Sequence, residues 1–160
     1  MSHEQPLGAS HGIYRSGVNQ MAKLLLAEDE EFSRDLMSRR LQRSGHEVIA
    51  VTNGREAVVA ATQHRPDLIL MDLDMPVMDG RHAIRLLKND VRTFRIPIIV
   101  LTAYAETDDV AAALSAGCYS YEAKPVVFKH LLARIEAALE LAGRRKPTPA
   151  APSSQAGSLQ

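Results

Sequence analysis

The sequence contains no tryptophan, and phenylalanine and tyrosine together make up only 4% of its 160 residues. A platform of aromatic rings for stacking nucleic-acid bases is therefore not expected. Cysteine occurs once, as Cys118. An internal disulfide is excluded, nothing calls for an oxidising compartment, and Cys118 reads as a small core residue. Charge of one sign is not in excess, since Lys+Arg and Asp+Glu both number 19. A balanced chain carries no electrostatic footprint for nucleic acid or for an anionic membrane, so neither is an expected partner. No apolar run approaches the roughly 20 residues that a membrane span requires. The first residues also lack the charged-then-apolar pattern of a secretory leader, and the expected location is cytoplasmic. The six histidines, His3, His11, His46, His64, His82 and His130, show no metal-ligand spacing. None sits in the helix motif of a phosphodonor histidine, and His82 and His130 are expected on exposed helix turns.

The composition is that of an ordinary globular protein, with 46% hydrophobic and 24% charged residues, and the length suits one domain. Residues 1–21 lack a sustained period and read as a flexible extension. Residues 144–160 are rich in Pro, Ala and Ser and read as a disordered tail. Arg144, Arg145 and Lys146 at its start read as a helix cap and solvated cluster. Between them, residues 22–143 alternate two kinds of pattern. Short apolar runs at 23–27, 47–51, 67–71, 97–103 and 118–123 read as strands. Helices are expected from Glu31 to Ser44, stopping near Gly45; from Asn53-Gly54 to before Pro66; through Ile84, Leu86 and Leu87 to Asn89; and from Glu106 to Gly117. The last helix carries the stripe Phe128, Leu131, Leu132, Ile135, Ala138 and Leu139. Five strand–helix units with continuously apolar strands predict an α/β fold, a doubly wound parallel sheet covered on both faces.

In such sheets the site lies beyond the carboxyl ends of the strands. The residues found there are Glu28-Asp29-Glu30 after the first strand, Asp72 and Asp74 after the third, Thr102 after the fourth and Lys124-Pro125 after the fifth. Clustered carboxylates repel one another and their pKa values rise unless a cation compensates. A hard divalent ion such as Mg²⁺ does so, and it leaves one carboxylate ionised as a nucleophile that can form an acyl-phosphate. A lysine point charge and a threonine hydroxyl suit the phosphoryl oxygens. Taken singly, Asp74 and Asp79 also read as turn residues, Thr102 as a strand-end hydroxyl, Lys124 as a loop lysine and Tyr121 as half-buried packing. For Asp79 the turn reading is preferred. Pro125 is expected to fix the loop that aims Lys124, through a cis bond.

The stretches LLLAEDE, DLILMDLDMPVMDG, PIIVLTA and YEAKP, in this order and spacing, resemble the receiver domain of two-component response regulators, of the single-domain chemotaxis kind. The resemblance covers about Lys23 to Leu141. It implies a flavodoxin-like (βα)5 fold with strand order 2-1-3-4-5. It also implies Asp72 as phosphoacceptor, and Mg²⁺, with Mn²⁺ as an alternative, held by Glu28, Asp29, Asp72 and the backbone carbonyl of Asp74. Thr102 and Lys124 would contact the phosphoryl group, Thr102 and Tyr121 would form the switch, and Asp74 and Tyr104 would tune dephosphorylation. The acidic pair departs from the usual Asp-Asp, which makes Glu28 the weaker candidate ligand.

The implied function is a stand-alone response regulator without an attached output domain. It would accept phosphate from a histidine kinase or histidine phosphotransfer protein, act on a downstream protein target, and lose the phosphate by its own hydrolysis; it is a switch and not an enzyme. The alternatives are a phosphorelay intermediate, or the receiver part of a hybrid kinase. A third alternative, from another class, is a small phosphohydrolase using Asp72 and Asp74. Against the phosphohydrolase, that signature opens its fold and takes Thr or Val where Pro76 stands.

Overall fold

A computed structural model describes residues 21–145. His3, His11, the extension before Met21, Lys146 and the rest of the expected tail lie outside the described residues, as do the side chains of Arg144 and Arg145. The elements alternate strictly. They are β1 (Lys23–Ala27), α1 (Glu31–Arg43), β2 (Glu47–Val51), α2 (Gly54–His64), β3 (Leu68–Asp72), α3 (Gly80–Lys88), β4 (Ile98–Thr102), α4 (Asp108–Ser115), β5 (Ser120–Ala123) and α5 (Phe128–Arg145). All strand pairs are parallel and the sheet order is β2-β1-β3-β4-β5. This is the doubly wound, flavodoxin-like arrangement expected from the sequence.

The central strands β1, β3 and β4 are largely apolar because both faces are covered. Leu25, Ala27, Ile69, Met71, Ile98 and Val100 pack on one side against α2 and α3, with Ala57, Ala61, Ala83, Ile84 and Leu87 among them. The alternate residues Leu24, Leu26, Leu68, Leu70, Ile99 and Leu101 pack on the other side against Met37 and Leu41 of α1 and Leu131, Ile135 and Ala138 of α5. Each fully buried Leu or Ile stabilises by about 1.5–3 kcal/mol relative to exposure. The two edge strands, β2 and β5, depart from continuous burial.

Several boundaries differ from the sequence expectation. α4 begins at Asp108, because Thr107 is extended and its hydroxyl donates to the Tyr104 carbonyl. Cys118 is not in β5: its N–H donates to Ala113 O and closes the end of α4, although the side chain is buried as expected. Burial pushes its thiol up to about 11, which leaves it unreactive. Leu86 lies off the buried stripe of α3, at 41% exposure. His82 and His130 are exposed, as expected.

Candidate functional site

The sheet brings the carboxyl ends of β1, β3, β4 and β5 to one rim, and the loops there are held by local bonds. Glu30 caps α1, its carboxylate accepting from the N–H groups of Phe32 and Ser33, so it faces the helix and not the cluster. Those bonds hold its carboxyl below the usual range. Asp79 caps α3 by accepting from His82 N–H, a more specific task than a plain turn residue. Between Asp72 and α3 the chain makes a three-residue turn at Val77 (φ 67°), closed by Met78 N–H donating to Pro76 O at 2.7 Å. The loop packs against glycines that cannot be replaced without movement. A Cβ on Gly80 would overlap the Asp72 carbonyl oxygen, and one on Gly54 would overlap the Met78 carbonyl oxygen.

At this rim Glu28, Asp29 and Asp72 each place a carboxylate oxygen within 4.8 Å of the others. Glu28 and Asp72 are buried, at 1% and 4% exposure, whereas Asp29 faces solvent. The Lys124 ammonium bridges the buried pair, donating to Glu28 Oε2 at 2.8 Å and to Asp72 Oδ2 at 2.7 Å. Asp72 Oδ1 accepts from Asp74 N–H at 3.0 Å, and Glu28 Oε1 accepts from Glu30 N–H at 3.2 Å. Burial raises the Glu28 carboxyl above the usual range, and Asp72 adds to the rise against the opposing pull of Lys124. Burial lowers the Lys124 ammonium, but its bonds to Asp72 and Glu28 outweigh this and hold it above the usual value. The donor set is all oxygen and acidic, and one cation shares two buried carboxylates; a hard divalent ion fits it.

The remaining candidates lie around this centre. Thr102 is buried at the end of β4, and its hydroxyl accepts from Tyr104 N–H at 3.0 Å. Tyr121 is half-buried on β5, paired with Val100, and packs against the core. Tyr104 is exposed, as is Asp74. The Lys124–Pro125 peptide is cis, as the sequence predicts. A groove of about 290 Å³ beside Lys124 is lined by Met37, Arg40, Val126 and Phe128. The sequence reading does not single out Arg81, which reaches across the rim to Asp74 and to Asp109 of α4. Its only sequence signal is a cation directly after the Asp79-Gly80 cap.

A family profile described as the response regulator receiver domain matches residues 24–136. The chain belongs to that family. Receiver domains are signalling switches of two-component systems; they work with histidine kinases or phosphotransfer proteins and bind Mg²⁺ at an acidic site. This receiver is 35% identical over 116 residues to the polar-differentiation response regulator DivK of Brucella anthropi, a match covering 72% of this chain and 94% of DivK. It is 38% identical over 143 residues to the transcriptional regulatory protein PrrA of Mycobacterium tuberculosis, covering 88% of this chain. It spans only 57% of the length of PrrA. The receiver domain of the sensor histidine kinase PA1611 of Pseudomonas aeruginosa superposes with a TM-score of 0.71 at 34% identity, over 76% of this chain and 99% of that domain. That structure holds a magnesium ion coordinated in its active-site cleft. Asp72 ends the third strand of this receiver, whereas the phosphohydrolase signature opens its fold. Among its described residues no helix is long and apolar enough to cross a membrane.

Proposed function

We propose that the protein is a phospho-accepting switch in which Asp72 takes a phosphoryl group from a phosphohistidine on a histidine kinase or phosphotransfer protein. The observation that carries this reading is the convergence of Glu28, Asp29, Asp72 and Lys124 at one end of the sheet. An Asp72 carboxylate oxygen attacks phosphorus, the P–N bond breaks, and the imidazole leaves neutral with its proton on the other ring nitrogen. Lys124 follows the developing charge onto a phosphoryl oxygen, and the buried rim excludes bulk water from the reacting atoms. Mg²⁺, or Mn²⁺ in its place, would be held by Glu28, Asp29, Asp72 and the Asp74 carbonyl, and it supplies charge neutralisation for the phosphoryl oxygens. Thr102 then turns its hydroxyl from Tyr104 N–H toward the new oxygens, and Tyr121 moves into the space released. Asp74 and Tyr104, both exposed at the mouth, govern entry of the water that resets the switch.

The near-complete coverage of DivK favours action as a single-domain regulator, comprising residues 22–143, on a downstream protein target. The likeness to the receiver of a sensor histidine kinase favours a second reading, a hybrid-kinase or relay receiver. The test is intact mass after incubation with acetyl phosphate and Mg²⁺. One phosphoryl adduct is expected, absent in Asp72→Asn and absent without the metal; an adduct that survives in Asp72→Asn would overturn the assignment. Passage of the label to a histidine phosphotransfer protein would select the relay reading.

A further inference from the structure

The Arg81 guanidinium lies between two carboxylates from different parts of the fold. On one side Nη2 donates to Asp109 Oδ2 at 2.8 Å. On the other side Nη2 and Nη1 reach Asp74 Oδ1 at 3.3 and 3.4 Å, and Nη1 reaches Leu73 O at 3.4 Å. The contact with α4 is thus the tight one and the contact with the pocket rim the loose one. Asp74 is bonded in turn, through its N–H, to Asp72 Oδ1.

α4 has little to hold it. It has eight residues, of which only Val110 and Ala113 are buried apolar, and its N-cap Thr107 makes no side-chain cap bond. Among the described residues, Arg81–Asp109 is the only salt bridge joining α4 to another element. Arg81 and Asp109 are each about a third to a half exposed, so the pair is weak enough to yield to a competing anion.

We propose that Arg81 couples the Asp72 pocket to α4 by dividing its guanidinium between Asp74 and Asp109 according to the charge in the pocket. The proposal rests on Asp72 being the phosphoacceptor. With the pocket uncharged by phosphate, Arg81 closes on Asp109 and fixes the first turn of α4. Negative charge added at Asp72 draws the guanidinium toward the Asp74 side, loosens Asp109 and frees the start of α4. The coupling is reciprocal: whatever releases Arg81 from Asp109 must favour an anion at Asp72 by the same factor.

The full chain is titrated with Mg²⁺ and beryllium fluoride, a phosphoryl mimic, as wild type, Arg81→Gln, Asp109→Asn and the double variant. Amide NMR signals of Asp108–Ser115 are followed, and signal dispersion confirms that each variant is folded. Asp109→Asn is expected to bind roughly two- to fivefold more tightly, with α4 signals already displaced toward their bound positions before the mimic is added. Arg81→Gln is expected to bind more weakly by a similar factor, and Asp109→Asn to have no effect in the Arg81→Gln background. Equal tightening by Asp109→Asn in both backgrounds would reduce Asp109 to a through-space charge and overturn the coupling, as would an affinity of Asp109→Asn equal to that of a wild type that binds. If the wild type binds no beryllium fluoride, the Asp72 reading falls and the coupling with it.

Discussion

Glu28 is almost fully buried beside another buried carboxylate, and burial, reinforced by Asp72, raises its carboxyl above the ordinary 4.5. The folded chain therefore holds this proton more tightly than the unfolded chain does. The stabilising contribution is fully present below the unfolded value and is lost as pH rises through the folded one. At neutral pH the metal-free site is electrostatically unfavourable, a burden that suits it for a cation. Glu28→Gln keeps an oxygen that can accept from Lys124 while removing the charge. It is expected to raise the metal-free melting temperature at pH 7 by a few degrees and to weaken Mg²⁺ binding, measured by calorimetry. A lower melting temperature would mean that the ion pair with Lys124 outweighs desolvation. The residue types at this centre were legible in the sequence because each follows a strand. The bridging by Lys124 was not, since its partners lie 96 and 52 residues away.

The β3–α3 connection shows how an element boundary positions a side chain. α3 starts at a glycine because its first turn lies against the backbone of Asp72. Gly80→Ala is expected to cost about 1–3 kcal/mol in urea unfolding and to reduce phosphoryl labelling, because relief of the overlap displaces Asp72. Retention of both stability and labelling would contradict this packing. Val77, three-quarters exposed, holds a positive φ that a β-branched residue adopts only under strain. Val77→Gly is expected to gain roughly 1 kcal/mol, the strain relieved exceeding the added chain entropy. Unchanged or lower stability would show that the turn is held without strain. The Met-Pro and Asp-Gly signals made a turn legible here, but the close approach of Gly80 to Asp72 is a contact between backbones and leaves no mark in local composition.

Across the whole molecule, one buried titratable group ties the sheet to the helices behind it. His46, between α1 and β2, accepts from Ala22 N–H through Nδ1 at 3.3 Å, which requires that nitrogen to be unprotonated. Burial pushes its pKa below 6.5, against a smaller opposite effect from Glu136. The unfolded chain therefore binds the proton more readily. This contribution is complete above about pH 6.5 and is lost as pH falls through the lower folded value. The urea midpoint of the wild type is expected to fall over that window, and that of His46→Gln to change less. Parallel profiles would place the titration elsewhere.

Pattern and composition alone determined the alternation of strands and helices, the burial of both sheet faces and the residue types at the strand ends. Each of these follows from periodicity or from adjacency in the chain. The order of strands, legible only through family resemblance, is a property of packing: β1 lies between β2 and β3 because both its faces and both its edges must be covered. The closure of α4 by Cys118 N–H and the reach of Arg81 to Asp109 were likewise decided by the tertiary structure. Hydrophobic burial is repeated many times along a sequence and shows as a pattern. A polar contact between distant residues occurs once, and it exists only when the fold has brought its two ends together.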